Sequence, residues 1–111
     1  MTPRDRASLI DVVNATRLAQ SFVQDMTWDS FVADIKTQSA VLYQIAIMGE
    51  AVKRLSPAFR EQHPEIDWKA MAGMRDKLIH DYEGVDVERV WRVLQSNLPE
   101  LLQTITAVLE D

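Results

Sequence analysis

Residues 37–55 of this chain read TQSAVLYQIAIMGEAVKRL and predict a long helix. Between Ala40 and Met48, apolar residues fall on nearly every side of a helix and are interrupted by Gln44. A helix that is apolar all round is normally buried all round. In so small a chain, where one flank of a helix tends to face water, the run also predicts the subunit interface of a homodimer. Gly49 either lets another backbone come close or is a glycine that the helix tolerates.

The rest of the chain carries helical signals as well. Three glycines, four prolines and no alternating β-branched runs predict an all-α protein. Thr2, Thr27, Asp67 and Asp86 each precede an apolar helical stripe and are predicted to cap it. The longer expected helices run from Pro3 to about residue 25, from Thr37 to Leu55, from Trp68 to about Tyr82, and from Asp86 onward. Short helical pieces are expected after Thr27 and between Ser56 and Pro64. In the last helix we expect either a kink at Pro99 or a break recapped by Asn97. Four longer helices with short connections predict an up-and-down bundle of four to five helices, forming one domain over residues 1–111.

Composition excludes several classes of protein. The chain has no cysteine, which rules out disulfides, thiol catalysis and zinc bound by cysteine, and a reducing cytoplasm is its expected location. The first twenty residues carry Asp5 and Asp11 among apolar positions and do not make a signal peptide. The longest apolar run is far too short to cross a bilayer, so no membrane association is expected.

The net charge of -5 is unusual for a protein that binds nucleic acid. Its distribution lessens the objection, because residues 53–92 hold eight acids and eight bases. The excess of negative charge therefore lies outside the segment that carries the motif described next. The alternative interpretation is an ordinary solvated surface of mixed charge.

Residues 75–82, RDKLIHDY, place a guanidinium, an imidazole and a phenol in one helical segment that ends near Gly84. On an ideal helix Arg75 and His80 lie about 140° apart, so one helix does not direct both at a single phosphorus atom. A second copy of the helix, related by two-fold symmetry, would supply the missing groups.

This set of groups suits cleavage of RNA without a metal ion. Attack of the ribose 2′-OH on the neighbouring phosphate needs a base, an acid and a cation for the developing charge. His80, with an ordinary pKa of about 6.5, can transfer protons in either direction near neutrality. Arg75 offers a planar fork that matches two phosphoryl oxygens and keeps its charge.

Structural explanations of the same residues stay open. Arg75 and His80 could be surface or core-edge residues, Asp76 could pair with His80 one turn later, and Tyr82 could be a core-edge aromatic. His63, beside Pro64, is predicted to be a loop residue. The two histidines lack the spacing of a metal site, and neither a metal nor a cofactor is expected.

The segments IMGEAVKRL, HPEIDW and RDKLIHDY followed by EGVD closely resemble the HepT-type toxins of the HEPN superfamily. The likeness covers essentially the whole chain. It implies an α-helical homodimer and a metal-independent ribonuclease encoded beside an MNT-type nucleotidyltransferase that acts as antitoxin.

The resemblance also implies roles for single residues. Arg75 and His80 correspond to the catalytic pair, and Asp76 to the polar residue after the arginine, where many relatives have asparagine. Tyr82 corresponds to the tyrosine that the nucleotidyltransferase modifies with AMP. An attached AMP would bring bulk and negative charge to the place where an RNA phosphate must enter.

Two other functions remain compatible with the sequence. One is a catalytically inactive HEPN dimer that acts as a binding scaffold or nucleotide-sensing module, which the acidic balance mildly favours. The other is an antitoxin-like subunit that only tethers its partner. An intact Arg75 and His80 pair favours the RNA endonuclease.

Overall fold

Helices make up nearly all of the computed structural model, which describes residues 1–80 and 84–110 and, of Ile79 and His80, the backbone alone. The all-α prediction is confirmed, with no strand in these ranges. Four helices have 13 or more residues, as the sequence predicted. The helices are α1 (Pro3–Phe22), α2 (Trp28–Val32), α3 (Ile35–Lys53), α4 (Pro57–Gln62), α5 (Trp68–His80), α6 (Val87–Arg92) and α7 (Leu98–Glu110), with a π-helical turn (Val93–Asn97) joining the last two.

Helix α3 is the centre of the bundle and packs against α1 on one side and α5 on the other. Helix α7 returns along α1, and α2 bridges α3 and α6. The apolar faces of these helices form one core. Its largest fully buried side chains include Phe31, Leu9, Ile45, Leu55 and Leu98. The central position of α3 agrees with its high apolar content.

The apolar run in α3 is only partly buried in the single chain. Val41, Ile45 and Met48 are buried, whereas Tyr43 on the outer face is 66% exposed. Neighbouring helices cover two flanks of α3 and leave the third open, as expected for a helix in so small a chain. Whether a second copy covers that flank stays a prediction.

The capping residues read from the sequence are confirmed. The side-chain oxygens of Thr2 and Thr27 accept hydrogen bonds from the backbone N–H groups of Asp5 and Ser30, at 3.0 and 3.2 Å. Asp67 and Asp86 accept in the same way from residues 70 and 89. These contacts are local, so the residue types alone were enough to locate them.

The end of α1 and the start of α3 differ from the sequence expectation. Helix α1 ends at Phe22, and the following turn includes Asp25 with a left-handed φ of 64°. Helix α3 starts two residues earlier than expected, because the Asp34 carboxylate accepts the backbone N–H of Thr37 at 3.0 Å and caps the helix from outside. The hydroxyl of Thr37 donates to the same carboxylate, so this threonine lies in the first turn and is not the cap.

The chain does not break at Pro99. The Leu98 N–H donates to the Val93 carbonyl five residues back, which makes one π-helical turn that ends at Asn97. Proline lacks an N–H and its ring clashes with the carbonyl four residues earlier in a regular α-helix. The wider π-helical turn removes this clash, so the helix continues through Pro99. Of the two expectations, the break recapped by Asn97 is therefore wrong.

Asp5 joins the start of α1 to the start of α4. Its carboxylate is 2% exposed and accepts the Ser56 backbone N–H at 2.8 Å and the Ser56 hydroxyl at 2.7 Å. Burial alone would raise the pKa of Asp5, but these hydrogen bonds outweigh it and hold the pKa below its ordinary value. Ser56 in turn caps α4.

Candidate functional site

Gly49 sets the distance between α3 and α5. A Cβ atom on this buried residue would lie 2.2 Å from Arg75 Cβ and 3.0 Å from the Met71 carbonyl oxygen. Both distances are too short for a real side chain. The glycine therefore allows a close backbone approach, and the backbone it admits is α5 of the same chain. Arg75 consequently leaves α5 at the point where the two helices are nearest.

The Arg75 guanidinium is held by a carboxylate from each helix. Its Nη2 lies 3.0 Å from Glu50 Oε2 on α3, and its Nη1 lies 3.2 Å from Asp76 Oδ1 on α5. The Arg75 side chain is 24% exposed, so the group is fixed in orientation yet reachable from solvent. Of its five N–H donors, those not used here can still bind an anion.

Lys53 completes the arrangement from α3. Its ammonium donates to the same Asp76 oxygen that Arg75 contacts. The hydrogen bond from Lys53, together with that from Arg75, lowers the pKa of Asp76, so the carboxylate stays charged. We call these four residues, Glu50, Lys53, Arg75 and Asp76, the Arg75 cluster. Two acids and two bases make it electrically neutral.

The structure places two of the four residues that the sequence singled out. Arg75 and Asp76 lie together at the α3–α5 contact. The side chain of His80, and Tyr82 altogether, lie outside the described residues. The predicted pairing of Asp76 with His80 stays a prediction, and the ion partners described for Asp76 are Lys53 and Arg75.

His63 has a structural position. It follows the last residue of α4 as the sequence suggested, and its ring packs on Phe59 at a centroid distance of 4.7 Å. Its carbonyl accepts the Trp68 indole N–H at 3.0 Å, and its Nδ1 lies 3.4 Å from Glu65 Oε1. These contacts link α4 to the first residue of α5, some way along the helix from Arg75.

Sequence reasoning missed Glu50 and Lys53 as site residues. Glu50 directly follows Gly49, and Lys53 lies three residues further along α3, in the segment IMGEAVKRL. A charged pair one turn apart beside a helix glycine is a usable signal, because a close helix contact can bury the stems of such side chains. The identity of their partners on α5 required the packing of the two helices.

The other flank of α5 borders an open cleft of about 580 Å³. Arg75 and Asp76 are not among the residues that line it. The lining side chains from α3, α5, the π-helical turn and α7 include Met48, Met71, Met74, Val93 and Leu101. Helix α5 is therefore fixed tightly on the flank toward α3 and loosely on the flank toward α7.

Two further observations concern metal ions and membranes. Among the side chains of residues 1–78 and 84–110, no three of the kinds that bind metal ions come together. No described helix has both the length and the apolar content needed to cross a membrane.

The comparison with known proteins agrees with the segments noted in the sequence. A family model described as "Ribonuclease HepT-like" matches residues 12–108. The "Probable ribonuclease HepT" of Thermococcus cleftensis is 43% identical over 93 residues, which cover 84% of each chain. "Putative RNase MJ0127" of Methanocaldococcus jannaschii is 39% identical over 106 residues, which cover 96% of this chain and 88% of that protein. No solved structure gave a significant match. The predicted resemblance is confirmed, and the chain belongs to the HepT-like ribonuclease family of HEPN proteins.

Proposed function

We propose that this protein is an RNA endonuclease that cleaves without a metal ion and acts as the toxin of a HEPN/MNT toxin–antitoxin pair. Membership of the HepT-like ribonuclease family and the names of its relatives support the ribonuclease activity. One observation supports a role for a particular residue: the guanidinium of Arg75 is oriented and partly exposed between Glu50 and Asp76.

The proposed reaction is an internal transfer of the phosphoryl group. The ribose 2′-oxygen forms a bond to phosphorus as a base removes its proton, and the bond from phosphorus to the 5′-oxygen of the next nucleotide breaks as an acid protonates that oxygen. The products are a 2′,3′-cyclic phosphate and a free 5′-hydroxyl. His80 acts as base or acid, and Arg75 balances the negative charge that develops on the phosphoryl oxygens.

A second copy of the chain completes the site in this proposal. The reaction needs a base and an acid, and the motif of one chain contains one histidine. Exposed apolar side chains on the outer face and at the start of α3, Tyr43 and Ile35, support an interface there. Two-fold symmetry about this helix would bring two α5 helices, and two His80 side chains, to one cleft.

The resemblance of the motif to HepT-type toxins implies control by an antitoxin. We propose that an MNT-type nucleotidyltransferase attaches AMP to the hydroxyl of Tyr82, two residues after His80. The attached phosphate adds negative charge beside the groups that must receive an RNA phosphate, and the nucleoside adds bulk. Both effects oppose binding of the substrate.

The experiment is cleavage of total RNA by the purified protein in excess EDTA. The wild type should cleave, and His80→Ala should lose activity by about 10²- to 10⁴-fold, the usual contribution of a general acid or base. An RNA oligonucleotide with one 2′-deoxy sugar at the cleavage site should resist. Cleavage that stops on chelation, or that continues at the deoxy position, would show that the mechanism is wrong.

A catalytically inactive scaffold is the second candidate. The neutral Arg75 cluster favours it, because two carboxylates already occupy the guanidinium that a nuclease would use. The overall charge of -5 points the same way. A folded wild-type dimer that binds RNA or nucleotide and shows no His80-dependent cleavage would establish this function.

A further inference from the structure

The two carboxylates that hold Arg75 are not equivalent. Asp76 neighbours Arg75 on α5 and is also bound by Lys53, so it has two cationic partners. Among the described residues, Glu50 has Arg75 as its one ion-pair partner. The Glu50 side chain is 46% exposed and can turn toward water without burying its charge elsewhere. The contact between Glu50 and Arg75 is therefore the easier one to exchange.

Arg75 itself has little freedom to move away. The missing side chain at Gly49 lets Arg75 Cβ lie against α3, and this packing fixes the base of the arginine side chain. Asp76 then fixes the far end through Nη1. An anion that approaches Arg75 therefore meets a guanidinium whose Nη2 edge is available once Glu50 leaves.

From this geometry we propose that Glu50 is a placeholder ligand, which occupies the Nη2 edge of Arg75 until an RNA phosphate displaces it. Asp76, held by Lys53, stays in place and keeps the guanidinium oriented. This inference rests on the proposed function, because it names the residue that competes with the substrate at the same arginine. Glu50 thus helps to hold Arg75 in the free protein and weakens the binding of RNA.

The chemistry of the exchange supports it. A carboxylate and a phosphodiester present two oxygens with similar spacing to the fork of an arginine, and both accept charge-assisted hydrogen bonds from it. An ion pair between partly exposed groups is weak in water, so a phosphate can replace the carboxylate. The displaced Glu50 then becomes an exposed, hydrated side chain.

If Glu50 is a placeholder, its replacement should strengthen RNA binding, whereas replacement of an ordinary structural residue should not. Glu50→Gln removes the competing charge and should lower the KM for RNA by about two- to fivefold, while kcat changes little. Asp76→Ala should instead lower kcat, because the guanidinium loses the acceptor that fixes its orientation. A residue needed only for folding would not improve binding when it is replaced.

Two further variants separate the contact from the charge. Glu61→Gln is the matched control: Glu61 is exposed on α4, has no ion pair in the described part of the chain, and its replacement changes the net charge by the same amount. Glu50→Asp keeps the charge but shortens the side chain by one methylene, so it should release Arg75. We expect Glu50→Asp to lower the KM as well, and Glu61→Gln to change it by less than about 1.5-fold.

The decisive experiment measures both cleavage and binding. Binding uses an RNA oligonucleotide that carries a 2′-deoxy sugar at the cleavage site, followed by fluorescence anisotropy, with circular dichroism to verify that each variant is folded. Tighter binding by Glu50→Gln and Glu50→Asp than by wild type and Glu61→Gln supports the placeholder. Equal binding by Glu50→Gln and Glu61→Gln, or tighter binding by Asp76→Ala instead, overturns it.

The same measurements distinguish this inference from the proposed function. If wild type cleaves RNA and the Glu50 variants bind no better than the control, the nuclease stands and the placeholder fails. If no variant cleaves but the Glu50 variants still bind the oligonucleotide more tightly, catalysis fails and the placeholder stands. An absence of binding by every protein overturns both.

Discussion

Two carboxylates in this molecule join helices that are distant in sequence, and they do so in different surroundings. Asp5 is 2% exposed and accepts hydrogen bonds from the backbone and hydroxyl of Ser56, which are neutral donors. Asp76 has a side chain that is 43% exposed and is bound by Lys53 and Arg75, which are cations. Both carboxyl groups have a lowered pKa.

The difference shows which contact holds the fold and which can take part in chemistry. A buried carboxylate with neutral donors cannot exchange its partners without exposing an unpaired charge, so it stabilises one arrangement. A half-exposed carboxylate among cations can exchange partners through water at little cost. We therefore expect changes at the Asp5 joint to alter stability, and changes at the Arg75 cluster to alter activity.

Gly49→Ala should have the largest effect, because it should lower both the stability and the activity of the protein. The new methyl group would lie 2.2 Å from Arg75 Cβ, so α3 and α5 must separate. Overpacking of this kind typically costs about 1–3 kcal/mol of unfolding free energy. Cleavage should fall as well, since Arg75 moves. Urea unfolding and RNA cleavage check the two effects. Gly73→Ala, where nothing lies within 4 Å of the added carbon, is the control.

Asp5→Ala should come next and should affect stability alone. Removing the carboxylate leaves the Ser56 N–H without its buried partner, which costs about 1–3 kcal/mol. Cleavage per folded molecule should equal that of the wild type. A thermal melt combined with an activity assay at low temperature makes the comparison. Loss of activity without loss of stability would contradict the structural role of Asp5.

Acid should weaken the fold through the same group. Because the folded-state pKa of Asp5 is below its ordinary value of 3.8, Asp5 contributes its full stabilisation above that value. The contribution is lost as the pH falls from 3.8 through the lower folded-state pKa. Urea unfolding at pH 6 and at pH 3 should therefore differ less in Asp5→Asn than in wild type. An equal difference in both proteins would show that Asp5 does not carry this pH dependence.

Lys53→Met should have the smallest effect on stability, below about 0.5 kcal/mol, since the ion pair with Asp76 is partly exposed. Cleavage should fall severalfold, because Asp76 loses one of the two cations that hold it and orients Arg75 less well. Lys69→Met, an exposed lysine on α5 with no ion pair in the described ranges, controls for the change in charge. Equal cleavage by the two variants would remove Lys53 from the site.

The parts of the fold that local chemistry determines were predictable from the sequence. Thr2, Thr27, Asp67 and Asp86 act on backbone groups three residues away, so their residue types located the helix starts. Asp34 was not identified as the cap of α3, because the predicted helix began at Thr37, which lies in its first turn.

The candidate site was predictable only in part. Arg75 and Asp76 stood out through the motif, but their contact with Glu50 and Lys53 depends on how α5 packs against α3. Gly49 had two interpretations in the sequence, and the distance to Arg75 Cβ decides between them. Periodicity also could not say which flank of α3 its neighbours would leave open.

Measuring cleavage rate and melting temperature together for Arg75→Ala and Asp5→Ala tests whether the Arg75 cluster is the catalytic site and whether Asp5 only stabilises the fold. Cleavage is measured with RNA in EDTA. We predict that Arg75→Ala lowers the rate by about 10²- to 10⁴-fold while the melting temperature changes by less than about 3 °C. Asp5→Ala should lower the melting temperature by about 4 °C or more and keep the rate per folded molecule. If Arg75→Ala instead melts far below the wild type, or folds normally and still cleaves RNA at the wild-type rate, the assignment of the Arg75 cluster as the catalytic site is contradicted.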